Sequence, residues 1–168
     1  MRKLAEEKNP WEEVGRLCEI VAKLRGPDGC PWDRVQTHES LKPACIEEAA
    51  EVIGGIDILK ETGRAENLKE ELGDLLLQVI FHAQLAQEEG FFSLADVAAA
   101  AANKMVRRHP HVFHEPMLDD DGQPLTGWQQ IKAQEKKGRE WEEAYLPVAF
   151  EEAADLIEQA KKRKGISS

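Results

Sequence analysis

Six carboxylates carry the spacing that could do chemistry in this chain. Glu47, Glu48 and Glu51 form an E-E-x-x-E run, and Glu70, Glu71 and Asp74 form an E-E-x-x-D run downstream. Positions three apart share a helix face, so two antiparallel helices carrying these runs can aim four carboxylates at one point. A set of oxygen donors of that kind suits Mg²⁺ or Mn²⁺. The neighbours argue against a merely solvated acidic face. At about 100° per residue, Leu41, Cys45, Val52 and Leu59 fall within roughly 60° of Glu48, which therefore projects from an apolar stripe. Glu71 shares its face with Leu68, Leu75 and His82, and Leu72, Leu76, Val79 and Ile80 cover much of the rest of that helix. A buried, unpaired carboxylate costs several kcal/mol, so such a cluster persists only with cations or protons to offset it.

The elements that must hold these groups are helices. The first is expected over Pro10 to Arg25, with Trp11, Val14, Leu17, Cys18, Val21 and Leu24 on one face and Gly26 at its end. A Gly- and Pro-rich loop follows, GPDGCPWDRVQTH, for which Trp32 is the expected anchor. Thr37 or Ser40 can cap a second helix running to about Glu61, and Pro43 is tolerated in its first turn. Gly63 separates it from a third helix over Ala65 to Glu89, and so short a turn makes the two antiparallel neighbours. Ser93 can cap a fourth, alanine-rich helix from Leu94 to Arg108, ended by Pro110. DDDGQP marks a turn and possible mobile loop, and it lacks the glutamate of an EF-hand. Thr126 can cap a fifth helix with Trp128, Ile131, Lys132 and Glu135. A short amphipathic helix follows Pro147, and KKRKGISS is expected to fray. No strand alternation or internal repeat is visible, so the chain reads as all-α.

With 168 residues the chain can bury its own core, and its net charge of −10 argues against nucleic-acid binding by a basic face. Cys18, Cys30 and Cys45 have no C-x-x-C spacing. Reduced thiols and a cytoplasmic location are expected, in the absence of a recognisable signal peptide. No apolar run approaches the length of a membrane span.

The stretches GCPWDRVQTHESLKP, CIEEAAEV, EELGDLLLQVIFHAQLAQEEG, KMVRRHPHVF and GWQQIKAQEK occur in this order between Leu24 and Lys136. Together they resemble the MazG family of nucleoside triphosphate pyrophosphohydrolases. The resemblance implies a MazG-like helical bundle with a four-helix core completed by dimerisation, as a homodimer or a dimer of dimers. It implies a domain over residues 1–140 followed by a helical tail over 141–168, with one such unit where some members carry two. The implied reaction is Mg²⁺-dependent hydrolysis of NTP or dNTP to nucleoside monophosphate and pyrophosphate, with removal of non-standard nucleotides as one role. Carried over, the metal ligands fall on Glu48, Glu51, Glu71 and Asp74. Glu47 either supports the ligands from outside or activates water, and Glu48 is the other catalytic position. Lys104, Arg107 and Arg108 match the family's phosphate-binding helix end, and Trp128 and Lys132 a segment near the nucleotide.

The residues themselves are consistent with that chemistry. Water attack at the α-phosphorus needs charge neutralisation, an activated water and a stabilised leaving group. Lys104 and Arg108 share a face at i, i+4, and a solvated basic helix end is the plain alternative. His109, His111 and His114 are better read as loop packing than as zinc ligands, since Pro110 breaks their helical spacing. His82 is expected to be a hydrogen-bonded core histidine. Trp11, Trp32 and Trp141 are expected to be packing anchors, with Trp128 the one to stack on a base. A di-iron bundle would want Glu-x-x-His pairs, which the chain lacks. A dUTP or phosphoribosyl-nucleotide pyrophosphohydrolase and a non-enzymatic acidic interaction module remain as alternatives.

Overall fold

The computed structural model describes residues 8–114 and 116–166, which are helical apart from connecting turns and one isolated antiparallel bridge, Leu118 to Pro124. They fall into two compact units. One comprises the described residues up to Ser93 and those from Ala153 on, and the other is Leu94–Glu152.

In the first unit, helix α1 is Pro10–Arg25, as its cap signals predict. Asn9 accepts from the Trp11 N–H through its side chain, Pro10 opens the helix, and acidic and basic residues occupy the first and last turns. Val21 is fully buried, whereas Trp11 is 81% exposed and anchors nothing in the single chain. The following loop contains a short helix, α2 (Pro31–Arg34). Trp32 at 64% exposed is not its anchor. Arg25 does that work instead, donating to the carbonyls of Asp33 at 2.6 Å and Gln36 at 3.2 Å while pairing with Glu88 at 2.7 Å. A guanidinium offers five donors in a fixed fork, so one side chain can tie a loop and a helix together.

Helix α3 is Lys42–Thr62 and α4 is Glu66–Glu88, and they form the principal packing pair. Neither Thr37 nor Ser40 caps α3. Each instead bonds the other's backbone N–H in the turn before it, at 3.1 and 2.9 Å. Gly63 ends α3 at φ 71°, a left-handed conformation that glycine adopts without strain, and its N–H returns to the Leu59 carbonyl. Gly55 marks the close approach of the pair: a Cβ there would lie 2.9 Å from the Leu68 Cα. The second half of α4 supplies the core through Ile80, Phe81, Ala83, Leu85 and Ala86. Side chains of the size of Ile80, Phe81 and Leu85 each contribute about 1.5–3 kcal/mol when fully buried. Leu72 and Leu76 in the first half of α4 and Val79 just past its middle are exposed, as are Ile53 and Ile56 on α3.

The second unit contains α5 (Leu94–Arg108), α6 (Pro110–Phe113), α7 (Trp128–Lys136) and a 3₁₀ segment at Glu140–Tyr145. Pro110 opens α6 as well as ending α5, because its fixed φ suits a first turn. The DDDG stretch forms a turn in which the Asp119 carboxylate accepts from the N–H groups of Asp121 and Gln123. Thr126 does not cap α7. Gly127 is the cap, and its N–H donates to the Gln130 side chain at 3.2 Å. Ile131 is fully buried, and Trp141 is 64% exposed with its ring edge-on to Tyr145.

Helix α8, Leu146–Arg163, begins in the second unit and ends in the first. The expected fraying does not apply to Lys161, Lys162 and Arg163, which complete its last turn. Ser167 and Ser168 lie outside the described residues.

Candidate metal centre

Glu48 on α3 and Glu71 and Asp74 on α4 each offer a carboxylate oxygen, and these atoms lie within 4.8 Å of one another. Helical phase explains the meeting. Glu71 and Asp74 are three apart on α4, and Glu48 stands two turns before Gly55, where α3 approaches the α4 backbone closely. Glu71 is 9% exposed, and its Oε1 accepts from the Asn67 side chain at 2.7 Å, one turn earlier. Burial, then the charges of Glu51, Asp74, Glu47 and Glu71, push the Glu48 carboxyl above the usual range.

Glu47 and Glu51 have other partners. Arg163 pairs with Glu47 at 2.7 Å, and Lys164 pairs with Glu47 at 3.2 Å and also with Glu51. The hydrogen bond from Arg163 is the main reason the Glu47 carboxyl lies below its ordinary value. Glu70, the remaining member of the second run, is exposed.

A divalent cation fits the three-carboxylate cluster. An octahedral Mg²⁺ shell at about 2.1 Å places ligand oxygens roughly 3 to 4 Å apart, within small side-chain rotations of this arrangement. Hard oxygen donors with unneutralised charge are the chemistry such an ion takes. One turn beyond Asp74, the Gln78 Oε1 is buried with no hydrogen-bond partner.

Behind the cluster runs a polar chain. Cys45 Sγ is 3.1 Å from His82 Nε2, His82 Nδ1 is 2.7 Å from His38 Nδ1, and His38 Nε2 is 3.8 Å from Glu89. Burial, then Glu48, raise the Cys45 thiol, while burial, then His38, lower His82. A thiol S–H donating to a neutral His82, which donates in turn to His38, satisfies every contact in one direction. His82 is thus the hydrogen-bonded interior histidine that the sequence led us to expect.

In the second unit, Arg107 and Arg108 converge on Glu135 of α7, with Nε distances of 3.0 and 2.8 Å. The Arg108 guanidinium also lies 5.0 Å from the Trp128 ring centroid, and His109 meets the same ring edge-on. Arg108, with its side chain 14% exposed, is therefore not a solvated charge. Lys104 and Lys132 form no ion pair among the described residues. His109 bonds the Met105 carbonyl, and no cluster of His109, His111 and His114 able to hold a metal occurs among the described residues.

Four partners were not singled out from the sequence: Asn67, Gln78, Arg163 and Lys164. Asn67 was accessible, since it stands four residues before Glu71 on the same face. The basic pair sits 116 and 113 residues from its carboxylates, and no local pattern reports such a contact.

Residues 36–113, which contain both carboxylate runs, match the family model of the MazG nucleotide pyrophosphohydrolase domain. The chain is 52% identical over 120 residues to a Thermotoga maritima protein named nucleoside triphosphate pyrophosphohydrolase/pyrophosphatase MazG, covering 71% of this chain and 44% of that one. It is 44% identical over 125 residues to the Escherichia coli K12 nucleoside triphosphate pyrophosphohydrolase, covering 74% and 46%. A Bacillus subtilis protein, uncharacterized protein YabN, is 44% identical over 137 residues, covering 82% and 27%. The chain thus spans less than half the length of each of these three relatives. An all-helical chain that brings Glu48, Glu71 and Asp74 together inside the matched segment carries a domain of the MazG family.

Proposed function

We propose that this chain hydrolyses nucleoside triphosphates between the α and β phosphates, releasing nucleoside monophosphate and pyrophosphate. The observation that carries the reading is the convergence of Glu48, Glu71 and Asp74 within 4.8 Å, inside the segment that matches the family model. Glu48, Glu71 and Asp74, with Glu51 as a fourth ligand, would hold Mg²⁺, which supplies charge neutralisation and a more acidic water. Asn67 fixes the Glu71 carboxylate through its 2.7 Å hydrogen bond, so that ligand is aimed before any ion arrives. Glu47 is the acceptor for the proton of the attacking water. In the second unit the reading assigns Lys104, Arg107 and Arg108 to phosphate oxygens, and Trp128 and Lys132 to the nucleotide. Arg107 and Arg108 are ordered by Glu135 and keep further N–H donors for that purpose. The absence of a G-x-x-x-x-G-K-[ST] loop also favours α–β over γ-phosphate cleavage.

A second copy of the chain belongs to the same proposal. Ile53, Ile56, Leu72, Leu76 and Val79 are 38–63% exposed on the two helices that carry the carboxylates, and a partner would cover them. A panel of NTPs and dNTPs with Mg²⁺, scored for pyrophosphate against orthophosphate, tests the activity. Pyrophosphate with monophosphate is expected, and orthophosphate with diphosphate as first products would refute it. Light scattering on the same preparation at micromolar concentration is expected to return at least twice the chain mass of 18.9 kDa.

A further inference from the structure

The basic end of α8 stands where a metal site has no evident use for cations. Arg163 and Lys164 make three ion pairs with Glu47 and Glu51, the two members of the first carboxylate run that do not converge with Glu48, Glu71 and Asp74. All four side chains are partly open, at 51% for Arg163, 42% for Lys164, 21% for Glu47 and 32% for Glu51. Pairs this accessible are weak and exchange readily with solvent ions. The five carboxylates Glu47, Glu48, Glu51, Glu71 and Asp74 cannot stay concentrated without compensation, and two lysine- and arginine-borne charges supply part of it from within the chain.

The balance changes when a divalent ion takes the carboxylates. Its two charges compete with Arg163 and Lys164 for the same acidic groups and so weaken their present pairing. A polyphosphate held by the same ion would then be the nearest strong acceptor of their hydrogen bonds, since both side chains already reach the rim of the cluster. We infer that Arg163 and Lys164 are displaceable internal counter-ions of the carboxylate site, which oppose binding of the bare metal and turn to the phosphates of the metal-bound nucleotide. The inference rests on the metal-centre reading above. It makes the basic end of α8 an element that favours metal arriving together with nucleotide over metal alone.

The test uses an Arg163→Gln/Lys164→Gln variant of the full chain, changes confined to open side chains. Mn²⁺ binding without nucleotide is measured by calorimetry or by the loss of free-ion paramagnetic resonance signal. The variant is expected to bind Mn²⁺ roughly threefold to tenfold more tightly than the parent, the size expected for a few open ion pairs. Raising NaCl should narrow that difference. With saturating Mg²⁺, a non-hydrolysable α,β-methylene triphosphate should bind the variant more weakly by a similar factor. Equal or weaker Mn²⁺ binding by the variant overturns the inference and leaves the metal centre standing, and so does unchanged affinity for the analogue. A parent that binds no Mn²⁺ overturns the metal centre itself and this inference with it.

Discussion

Replacing Glu48 with Gln separates a metal centre from an acidic surface at nearly constant volume. In the metal-free protein, Glu48 faces Glu71 and Asp74 across at most 4.8 Å, while Glu47 and Glu51 are offset by Arg163 and Lys164. Two such contacts cost about 2 kcal/mol at the dielectric of water and about 7 kcal/mol at an effective value near 20. Glu48 is only half-buried, so solvent and salt hold the sum at or below the lower figure. The variant should therefore gain about 1–2 kcal/mol without metal, a rise of roughly 2–8 °C in Tm for a chain of this size. The pH dependence has a definite sign. Burial and the neighbouring carboxylates raise the folded-state value of Glu48 above its unfolded one. Its contribution to stability is complete below the unfolded carboxylate value near ~4.3 and is lost as pH rises through the raised value. The metal-free parent should gain stability from this group as pH falls from about 7 towards 5, and the variant should lack that component. Mg²⁺ at a hundredfold excess over its Kd should stabilise the parent by about 2.7 kcal/mol and the variant far less. Differential scanning calorimetry with and without Mg²⁺, at several pH values, reads all three effects. Equal melting temperatures, equal pH slopes and equal Mg²⁺ responses would refute the reasoning.

Three further substitutions follow from the structure. Lys104→Ala should raise KM or lower kcat with little change in Tm, because Lys104 has no ion pair among the described residues. Arg108→Ala should also cost about 1–3 kcal/mol of stability, since it strips Glu135 of two hydrogen bonds and Trp128 of a cation; thermal melts of the two variants together check the contrast. His82→Phe tests the polar chain behind the cluster. Burial, then His38, depress the folded value of His82, so its contribution is present above the ordinary histidine value near ~6.5 and lost as pH falls through the depressed one. The parent should lose stability relative to His82→Phe over that acidic window, and a pH-independent difference between their melts would count against a neutral, hydrogen-bonded His82.

The helices were legible because their ends are written in neighbouring residues. Asn9 with Pro10 opens α1, and Gly63 closes α3, each through local backbone chemistry that needs no knowledge of the remaining chain. The same local logic misassigned Thr37, Ser40 and Thr126, whose hydroxyls have several backbone partners within reach and are not bound to serve a helix. Glu48, Glu71 and Asp74 could be named because helical phase fixes faces, and the short α3–α4 turn fixes which faces meet. Trp11, Trp32 and Trp141 went astray for the opposite reason: an aromatic residue implies cover, but periodicity does not say whether that cover comes from the same chain. Arg163 and Lys164 were placed in a frayed end because their partners lie more than a hundred residues away.

Gly55 carries a consequence for the spacing of the carboxylate cluster. It lies one turn beyond Glu51, and Leu68, against which it packs, lies one turn before Glu71. The missing Cβ therefore sets how closely the two carboxylate-bearing backbones approach beside the site. Any larger residue would meet the Leu68 Cα at 2.9 Å, a backbone atom that cannot swing aside, and would wedge α3 from α4. The oxygens of Glu48 would then stand further from those of Glu71 and Asp74. A glycine outside the cluster thus sets the separation of the two helices that carry it.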